Sequence, residues 1–158
     1  MSITTKGISL GNFTQQQRKK IGGIVNSELA KLEREAVKRS PAGVSGRLRQ
    51  GWQLNPWDGL SASVTQNTAY YPFVEFGRKA GKGISREGQF AVARWAKLKL
   101  SLSNTDASRF AYNLSQKYKR RGRKAKPIIG VNEAGKPLSG QLLDRTFRAI
   151  DRRISSTL

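Results

Sequence analysis

One face of a long helix is the clearest pattern near the start of the chain. From Phe13 onward, apolar residues recur at steps of three or four, which is helical spacing. They are Ile21, Val25, Leu29, Leu32 and Ala36. Asn12 suits an N-cap, and Pro41 predicts that this helix ends near Arg39. Residues 1–12 alternate loosely and fit either an N-terminal arm or a short edge strand.

The period changes to two after residue 51. Trp52 and Leu54 alternate with polar residues, and Asp58-Gly59 is a turn signal. Alternation then resumes with Leu60, Ala62 and Val64. The pattern predicts an antiparallel strand pair. The glycine-bearing stretch before it predicts a loop with at most one helical turn around Arg47–Leu48.

Helical spacing returns in the second half of the chain. Ser85 is expected to cap a helix that reaches Leu100, and a further helix is expected from Asp106 to Lys119. A last helix is expected after a cap at Ser139. The residues expected to face the core are Phe90, Ala91, Trp95, Leu98, Phe110, Leu114, Tyr118, Leu143, Phe147, Ile150 and Ile154. The predicted class is α+β in a single domain, 1–158, with a small antiparallel sheet packed by a long N-terminal helix and two to three C-terminal helices.

Aromatic residues concentrate around one acid where the strands give way to helices. Glu75 stands among Tyr70, Tyr71, Phe73 and Phe76, with Trp57 upstream. A plain core segment is one interpretation, since such rings bury a large area. The other is a structural ion pair, in which Glu75 binds Arg47 or Arg49; breaking a buried pair costs several kcal/mol, about 3–5.

Charge is distributed unevenly between bases and acids. The 158 residues include 30 Lys+Arg and 10 Asp+Glu, for a net charge of +20. This balance implies an acidic partner, most simply nucleic acid. Two basic loops are predicted, 77–88 and 117–126, with sequence-independent contacts to phosphates. The candidate DNA-facing residues are Arg78, Lys79, Lys82, Arg86, Lys117, Lys119, Arg120, Arg121, Arg123, Lys124 and Lys126. The alternative is that these bases meet acidic patches on a neighbouring protein.

The composition narrows the possible chemistry. With no histidine and no cysteine, imidazole acid–base catalysis, nucleophilic triads and zinc fingers are excluded. A metal-dependent nuclease would need converging acids, and Asp58 with Glu75 is a poor pair for it. A phosphate-loop spacing at Gly130–Lys136 has Pro137 where a hydroxyl residue is required. We therefore expect no enzyme, cofactor or metal. No apolar run long enough for a membrane span or signal core occurs, so the chain is expected to be soluble and to contact no membrane.

Three segments of the chain carry a resemblance to a known family. They read SPAGVSGRLRQGW from Ser40, NTAYYPFVEFG from Asn67 and AKPIIG from Ala125. In this order, with a strand pair and a C-terminal amphipathic helix, the chain resembles the tail-completion or neck proteins of long-tailed bacteriophages. That family includes the minor tail protein Z type of lambda-like phages. The motif positions expected to act in structure and assembly are Gly46, Arg47, Leu48, Arg49, Tyr70, Tyr71, Phe73, Val74, Glu75, Phe76 and Gly77. The chain departs from the family pattern at Arg78, where a small hydroxyl residue is usual, and around Leu100–Asp106.

The resemblance implies a structural virion protein with no enzymatic activity. Such a protein completes the tail and joins it to the head, forming a ring around the DNA channel. Its implied partners are other subunits of its own ring, neighbouring neck and tail proteins such as the connector and the tail terminator, and phage double-stranded DNA bound non-specifically. Its implied location is the virion neck, after assembly in the host cytoplasm. The composition leaves one alternative open, a non-specific basic nucleic-acid-binding protein of ribosomal or chromatin type.

Overall fold

Helices and a small sheet alternate along the chain, as predicted for an α+β protein. The computed structural model describes residues 2–4, 14–43, 46–132 and 136–157. The strands are β1 (Ser2–Thr4), β2 (Trp52–Asn55) and β3 (Ser63–Gln66). The helices are α1 (Gln15–Arg39), α2 (Arg47–Gln50), α3 (Tyr71–Glu75), α4 (Arg86–Leu100), α5 (Asn104–Arg121) and α6 (Leu142–Ser155). The predicted α+β class, with its long N-terminal helix, is confirmed.

The sheet is antiparallel, with strand order β1-β3-β2. Residues 2–4 form an edge strand, which decides between the two interpretations of that segment; 5–12 lie outside the described residues. β2 and β3 are joined by a seven-residue loop, 56–62, because Asn55 pairs with Ser63. Asp58 Oδ1 accepts hydrogen bonds from the backbone N–H groups of Leu60 and Ser61, both at 2.8 Å. Leu60 is 81% exposed, so the predicted alternation is wrong at that residue.

α1 buries the face that its spacing predicts. Thr14 caps it in a capping box with Gln17. The expected cap, Asn12, lies outside the described residues, and the cap is two residues later. At the other end, the Ser40 hydroxyl donates to Ala36 O at 2.7 Å and accepts from Trp52 Nε1 at 2.9 Å. The end of α1 is thereby joined to β2.

The main core lies between α1, the sheet and α6. Its buried members are Ile21, Ile24, Val25, Leu29, Leu32, Ala36, Leu48, Trp52, Ala62, Val64, Tyr71, Val74, Ile128, Ile129, Val131, Leu142, Leu143, Ile150 and Ile154. One buried acid connects the two long helices of this core: Glu28 on α1 binds Arg153 of α6 at 2.7 Å and Lys31 at 2.8 Å. α6 begins at Leu142 after Gln141, rather than after the expected cap, Ser139.

α4 and α5 form a helical hairpin with a separate and much smaller seam. We call residues 78–123 the hairpin and the other described residues the body. The hairpin buries Ala96, Ala107, Ala111 and Ser115, none of which belongs to the main core. Phe90, Ala91 and Leu98, which the sequence predicts to face a core, are exposed, Phe90 at 65% and Leu98 at 58%. Those three predictions are wrong because small residues pack at the seam and turn this side of α4 outward.

Candidate nucleic-acid interface at the base of the hairpin

Two basic segments that are distant in sequence meet where the hairpin leaves the body. Arg78 and Arg123 form an antiparallel bridge: Arg78 N donates to Arg123 O at 2.8 Å, and Arg123 N donates to Arg78 O at 2.7 Å. One turn further, Gly81 N donates to Lys119 O at 2.9 Å. The Ser115 hydroxyl accepts from the backbone N–H of Ile84 at 2.9 Å. The two predicted basic segments therefore lie side by side at one end of the hairpin, which we call the base.

Two glycines allow the chains to cross at the base. Gly77 has φ +77°, and a Cβ there would lie 2.5 Å from Arg123 O and 2.6 Å from Ala125 N. Gly122 has φ +67°, and a Cβ there would overlap Arg78 O. Both positions combine a left-handed backbone with a close approach of the opposite chain, which only glycine tolerates without strain. Gly77 and Gly122, which lie beside the basic residues in sequence, are thus needed for the two chain segments to cross.

The predicted loop boundaries need correction. Residues 117–121 are the last residues of α5, so only the second half of the predicted basic loop 117–126 is non-helical. The predicted loop 77–88 likewise ends at Ser85, whose hydroxyl accepts from Gly88 N and caps α4. Basic side chains in the last turn of a helix favour the negative end of its dipole. Lys119, Arg120 and Arg121 therefore also stabilise α5.

The base presents its positive charge to solvent. Of the eleven candidate residues, Arg78 and Arg123 are half-buried and the other nine are exposed. The ion pairs between described residues use Lys31, Lys38, Arg148 and Arg153, so none of the eleven candidates takes part in one. The whole hairpin includes 13 Lys+Arg and two Asp+Glu, which is +11 of the net +20. Unpaired, exposed bases on closely spaced backbone suit contact with phosphates.

Glu75 is held by backbone groups and not by arginine. Its Oε2 accepts from Ile128 N at 2.6 Å, and its Oε1 accepts from Gly130 N at 2.7 Å and Val131 N at 3.2 Å. The residue is 1% exposed. The expected pairing with Arg47 or Arg49 is wrong. Both arginines are exposed, and Arg49 Nε instead donates to Ser40 O at 3.0 Å.

The charge-assisted bonds of Glu75 explain why an acid is needed among aromatic rings. The turn over residues 128–131 points several N–H groups at one place, and no strand or helix accepts them. A carboxylate satisfies such donors with short bonds, roughly twice as strong as neutral ones. We call this arrangement of Glu75 with 128–131 the clamp. Sequence reasoning missed it because the donors are main-chain groups more than fifty residues away.

The three motif segments contact one another around the clamp. The Trp52 and Tyr71 rings meet edge to face, with centroids 5.3 Å apart. Gln66 Nε2, at the end of β3, donates to Leu48 O at 2.8 Å, and Lys126 N donates to Val74 O at 2.9 Å. The segments 46–52, 70–77 and 125–131 therefore form one continuous part of the body.

The aromatic anchor predicted for residues 70–76 is only partly buried. Tyr71 and Val74 lie in the core and Phe76 is half-buried, whereas Tyr70 and Phe73 are exposed. Burial, and then the charge of Glu75, raise the pKa of the Tyr71 hydroxyl well above its ordinary value. Because that hydroxyl stays protonated, Tyr71 acts as a neutral packing residue beside the clamp.

Both acids considered for a nuclease already bind backbone amides, Asp58 in the β2–β3 loop and Glu75 in the clamp. Within the described ranges, no three His, Cys, Asp or Glu side chains are grouped so that they could hold a metal ion. No helix in the same ranges is long and apolar enough to cross a membrane. Comparison with protein-family models, with curated proteins and with solved structures gave no match. The functional argument therefore depends on the residues and motifs of this chain.

Proposed function

We propose that the chain is a structural protein of the head–tail neck of a long-tailed bacteriophage. In this role it completes the tail, joins it to the head and forms a ring around the DNA channel. One observation carries the proposal: the three segments on which the resemblance rests meet in one part of the body, around Glu75. The three motifs are spread over about ninety residues of sequence, yet they contact one another in one place. This arrangement supports a fold shared with the resembled family better than three chance matches would.

The clamp suits a structural role. Glu75 is almost fully buried and its two oxygens accept three main-chain bonds, so its geometry is fixed by the backbone. It holds residues 128–131 against α3 on one side of the point where the hairpin leaves the body. The body is held rigidly and the hairpin projects from it. A subunit of this shape can build a ring with a charged inner or outer edge.

The base of the hairpin supports contact with DNA in such a ring. Its exposed bases are expected to bind phosphates, so affinity for duplex DNA should fall with salt, with a slope of about 0.9 per phosphate neutralised. Replacing Arg120, Arg121, Arg123 and Lys124 with Ser should flatten that slope and leave the fold intact. The matched control replaces Arg94, Lys97, Lys99 and Arg109 with Ser, which removes the same number of positive charges from hairpin positions away from the base. Fluorescence anisotropy on duplex DNA at several salt concentrations measures both slopes.

Equal slopes for the two variants would show that net charge, and not the base, determines DNA binding. Absent or salt-insensitive DNA binding, together with loss of assembly onto a partner ring in the first variant, would assign the base to an acidic protein surface instead.

The same exposed bases favour a second candidate, a non-specific nucleic-acid-binding protein of ribosomal or chromatin type. Assembly distinguishes the two. Native mass spectrometry and negative-stain electron microscopy of the pure chain should show a ring of identical subunits under the neck proposal. A monomer that binds RNA tightly and forms no ring, alone or on phage particles, would favour the second candidate.

A further inference from the structure

Large apolar side chains remain uncovered on the hairpin, away from the base. Phe90, Leu98 and Leu100 of α4 and Tyr112 of α5 are between 47% and 65% exposed. They make up half of the large hydrophobic residues exposed in the described parts of the chain, although the hairpin is less than a third of its length. Single exposed apolar residues need no explanation, but a concentration of them on one projecting element does.

Phe90 lines a groove between the two helices, and Tyr112 lies four residues after Ser108, another lining residue, on the same side of α5. The groove, of about 210 Å³, is lined by Arg86, Gln89, Phe90, Ala93, Ser108 and Ala111. Its floor is made of small residues, and Tyr112 follows Ala111 directly on α5. Leu98 lies eight residues after Phe90, about 12 Å further along α4 and rotated by about 80° around its axis. The exposed apolar residues of α4 thus continue beyond the groove, towards the end of the hairpin remote from the body.

The seam of the hairpin explains why these side chains stay outside. The helices meet through Ala96, Ala107, Ala111 and Ser115, which bring them close but bury little apolar area. Trp95 and Phe110 cover the other side of the seam, with ring centroids 6.2 Å apart. Helices of this length obtain most of their stability from packing an apolar face. The hairpin therefore offers a face that another layer could cover.

The positive charge of α4 and α5 selects the partner. Arg86 lines the groove, and Arg94, Lys97, Lys99 and Arg109 lie elsewhere on the same two helices. All five are exposed, and none is in an ion pair with another described residue. The hairpin has two acids, Glu87 and Asp106, and Asp106 accepts a hydrogen bond from the capping Ser103 hydroxyl at 2.6 Å. A second copy of this chain would bring a further +20 to the contact. Charge complementarity therefore favours a partner of opposite sign.

We propose that the α4–α5 groove and its apolar border form a docking surface for an acidic protein partner. An apolar side of that partner covers Phe90, Leu98 and Tyr112, and its carboxylates face the surrounding arginines and lysines. This surface shares only Arg86 with the candidate DNA-facing residues, and the inference does not depend on the neck proposal.

Two synthetic amphipathic helices test the proposal. One has Leu along one face and Glu elsewhere, and the other keeps every Glu and replaces Leu with Ser. The wild-type chain should bind the Leu/Glu helix at least about tenfold more tightly, because burial of several leucines exceeds the 1.4 kcal/mol that a factor of ten requires. Phe90→Ser with Leu98→Ser should abolish that difference. The control, Leu60→Ser, changes an exposed leucine of the body and should retain it.

Several outcomes would overturn the proposal. Equal binding of both helices would show attraction by charge alone, and undiminished discrimination in the double variant would place the contact elsewhere. Self-association of the wild type that the double variant abolishes would assign this face to a second copy. Duplex DNA binding that requires Phe90 and Leu98 would assign it to nucleic acid. Circular dichroism checks folding, and Tyr112→Ser tests the surface from α5 if the double variant loses helix.

Discussion

The body and the hairpin are built from the same kinds of helix but packed in opposite ways. The main core of the body has nineteen buried apolar residues, many of them large and aliphatic. The buried apolar residues of the hairpin are three alanines, Ala96, Ala107 and Ala111. Buried area is the main source of stability, at about 25 cal/mol per Å². The body should therefore determine global stability, and the hairpin should open at lower free energy.

The two regions also differ in how many of their charged residues form ion pairs. Every ion pair between described residues lies in the body, including the buried contact of Glu28 with Arg153. The hairpin has +11 in 46 residues and leaves its bases unpaired. Four bases of the body take part in internal ion pairs, whereas the hairpin bases take part in none between described residues. The comparison teaches that the region with the smaller buried core also leaves more of its apolar and basic side chains exposed.

The largest expected effect comes from the clamp. Glu75→Gln should lower the free energy of unfolding by about 3 kcal/mol or more, because an amide turns an NH₂ group towards main-chain donors and leaves some unsatisfied. Urea denaturation measures the loss. Glu35→Gln, which removes an exposed ion pair with Lys38, is the control and should cost far less than Glu75→Gln, because solvent screens that pair. Similar losses in the two variants would contradict the role given to the clamp.

A smaller and more local effect is expected at the crossing of the chains. Gly122→Ala should cost about 2 kcal/mol, because it adds strain at positive φ and a clash with Arg78 O. Limited proteolysis should show faster cleavage within 79–121, while hydrogen exchange at Ile128 changes less. Gly23→Ala, in α1 with open space around the new Cβ, is the control. Uniform loosening of both regions would mean that they unfold as one unit.

The ion pairs of Glu28, a buried acid with partly exposed basic partners, should make the stability of the body depend on pH. Burial raises the pKa of Glu28, but hydrogen bonds and charges from Lys31 and Arg153 outweigh it and hold the pKa below its ordinary value of 4.5. A lowered folded-state pKa means that the contribution is present at neutral pH and is lost as pH falls below about 4.5. Glu28→Gln should therefore lose less stability than wild type between about pH 5 and pH 3. Glu33→Gln, outside this ion-pair network, is the control, and its stability should vary with pH as that of the wild type does. If the stabilities of Glu28→Gln and wild type fell in parallel as pH is lowered, the role assigned to Glu28 would be wrong.

The smallest effect is expected from removing the hairpin altogether. Arg78 and Arg123 are hydrogen-bonded as an antiparallel pair, so a short Gly-containing turn can replace residues 79–122. The free energy of unfolding should change by only about 1 kcal/mol, because the main core includes no hairpin residue. In the deletion variant, which lacks Trp95, tryptophan fluorescence during urea denaturation reports on Trp52 and Trp57 of the body, and Trp95→Phe is the full-length reference. A body that fails to fold would show that the hairpin is part of its structure.

The buried face of the long helix in the body could be predicted from the sequence. All five residues predicted for the inner face of α1 are buried, because apolar side chains at helical spacing lie on one side of a helix. Ile24 and Glu28 are buried beside them and were not predicted. The same rule failed for Phe90 and Leu98, since it assumes that the largest residues face inward, and alanine seams contradict that assumption. Turn chemistry placed Asp58 correctly but not the length of its loop, because an Asx turn fits a seven-residue connection equally well.

The candidate site could be predicted in composition but not in arrangement. The two basic segments were visible as charge, yet their contact through Arg78 and Arg123 depends on a helical hairpin returning to its starting point. Glu75 was recognised as a structural acid, and its charged partner was sought among arginines. Main-chain N–H groups carry no sequence signal, so the clamp became visible only with the fold.

The crossing at Arg78 and Arg123 also has a kinetic meaning. Glu75 and Ile128 are 53 residues apart in sequence, and joining the ends of so long a loop costs conformational entropy. The contacts between α4 and α5 are more local, and such contacts form early in folding. Once the helices pair, the bridge lies three residues from Glu75 and five from Ile128. The loop still to be closed then shrinks to a few residues, which lowers the closure cost by about 1.5 kcal/mol. The hairpin adds little to equilibrium stability, but its early formation should therefore speed the folding of the body.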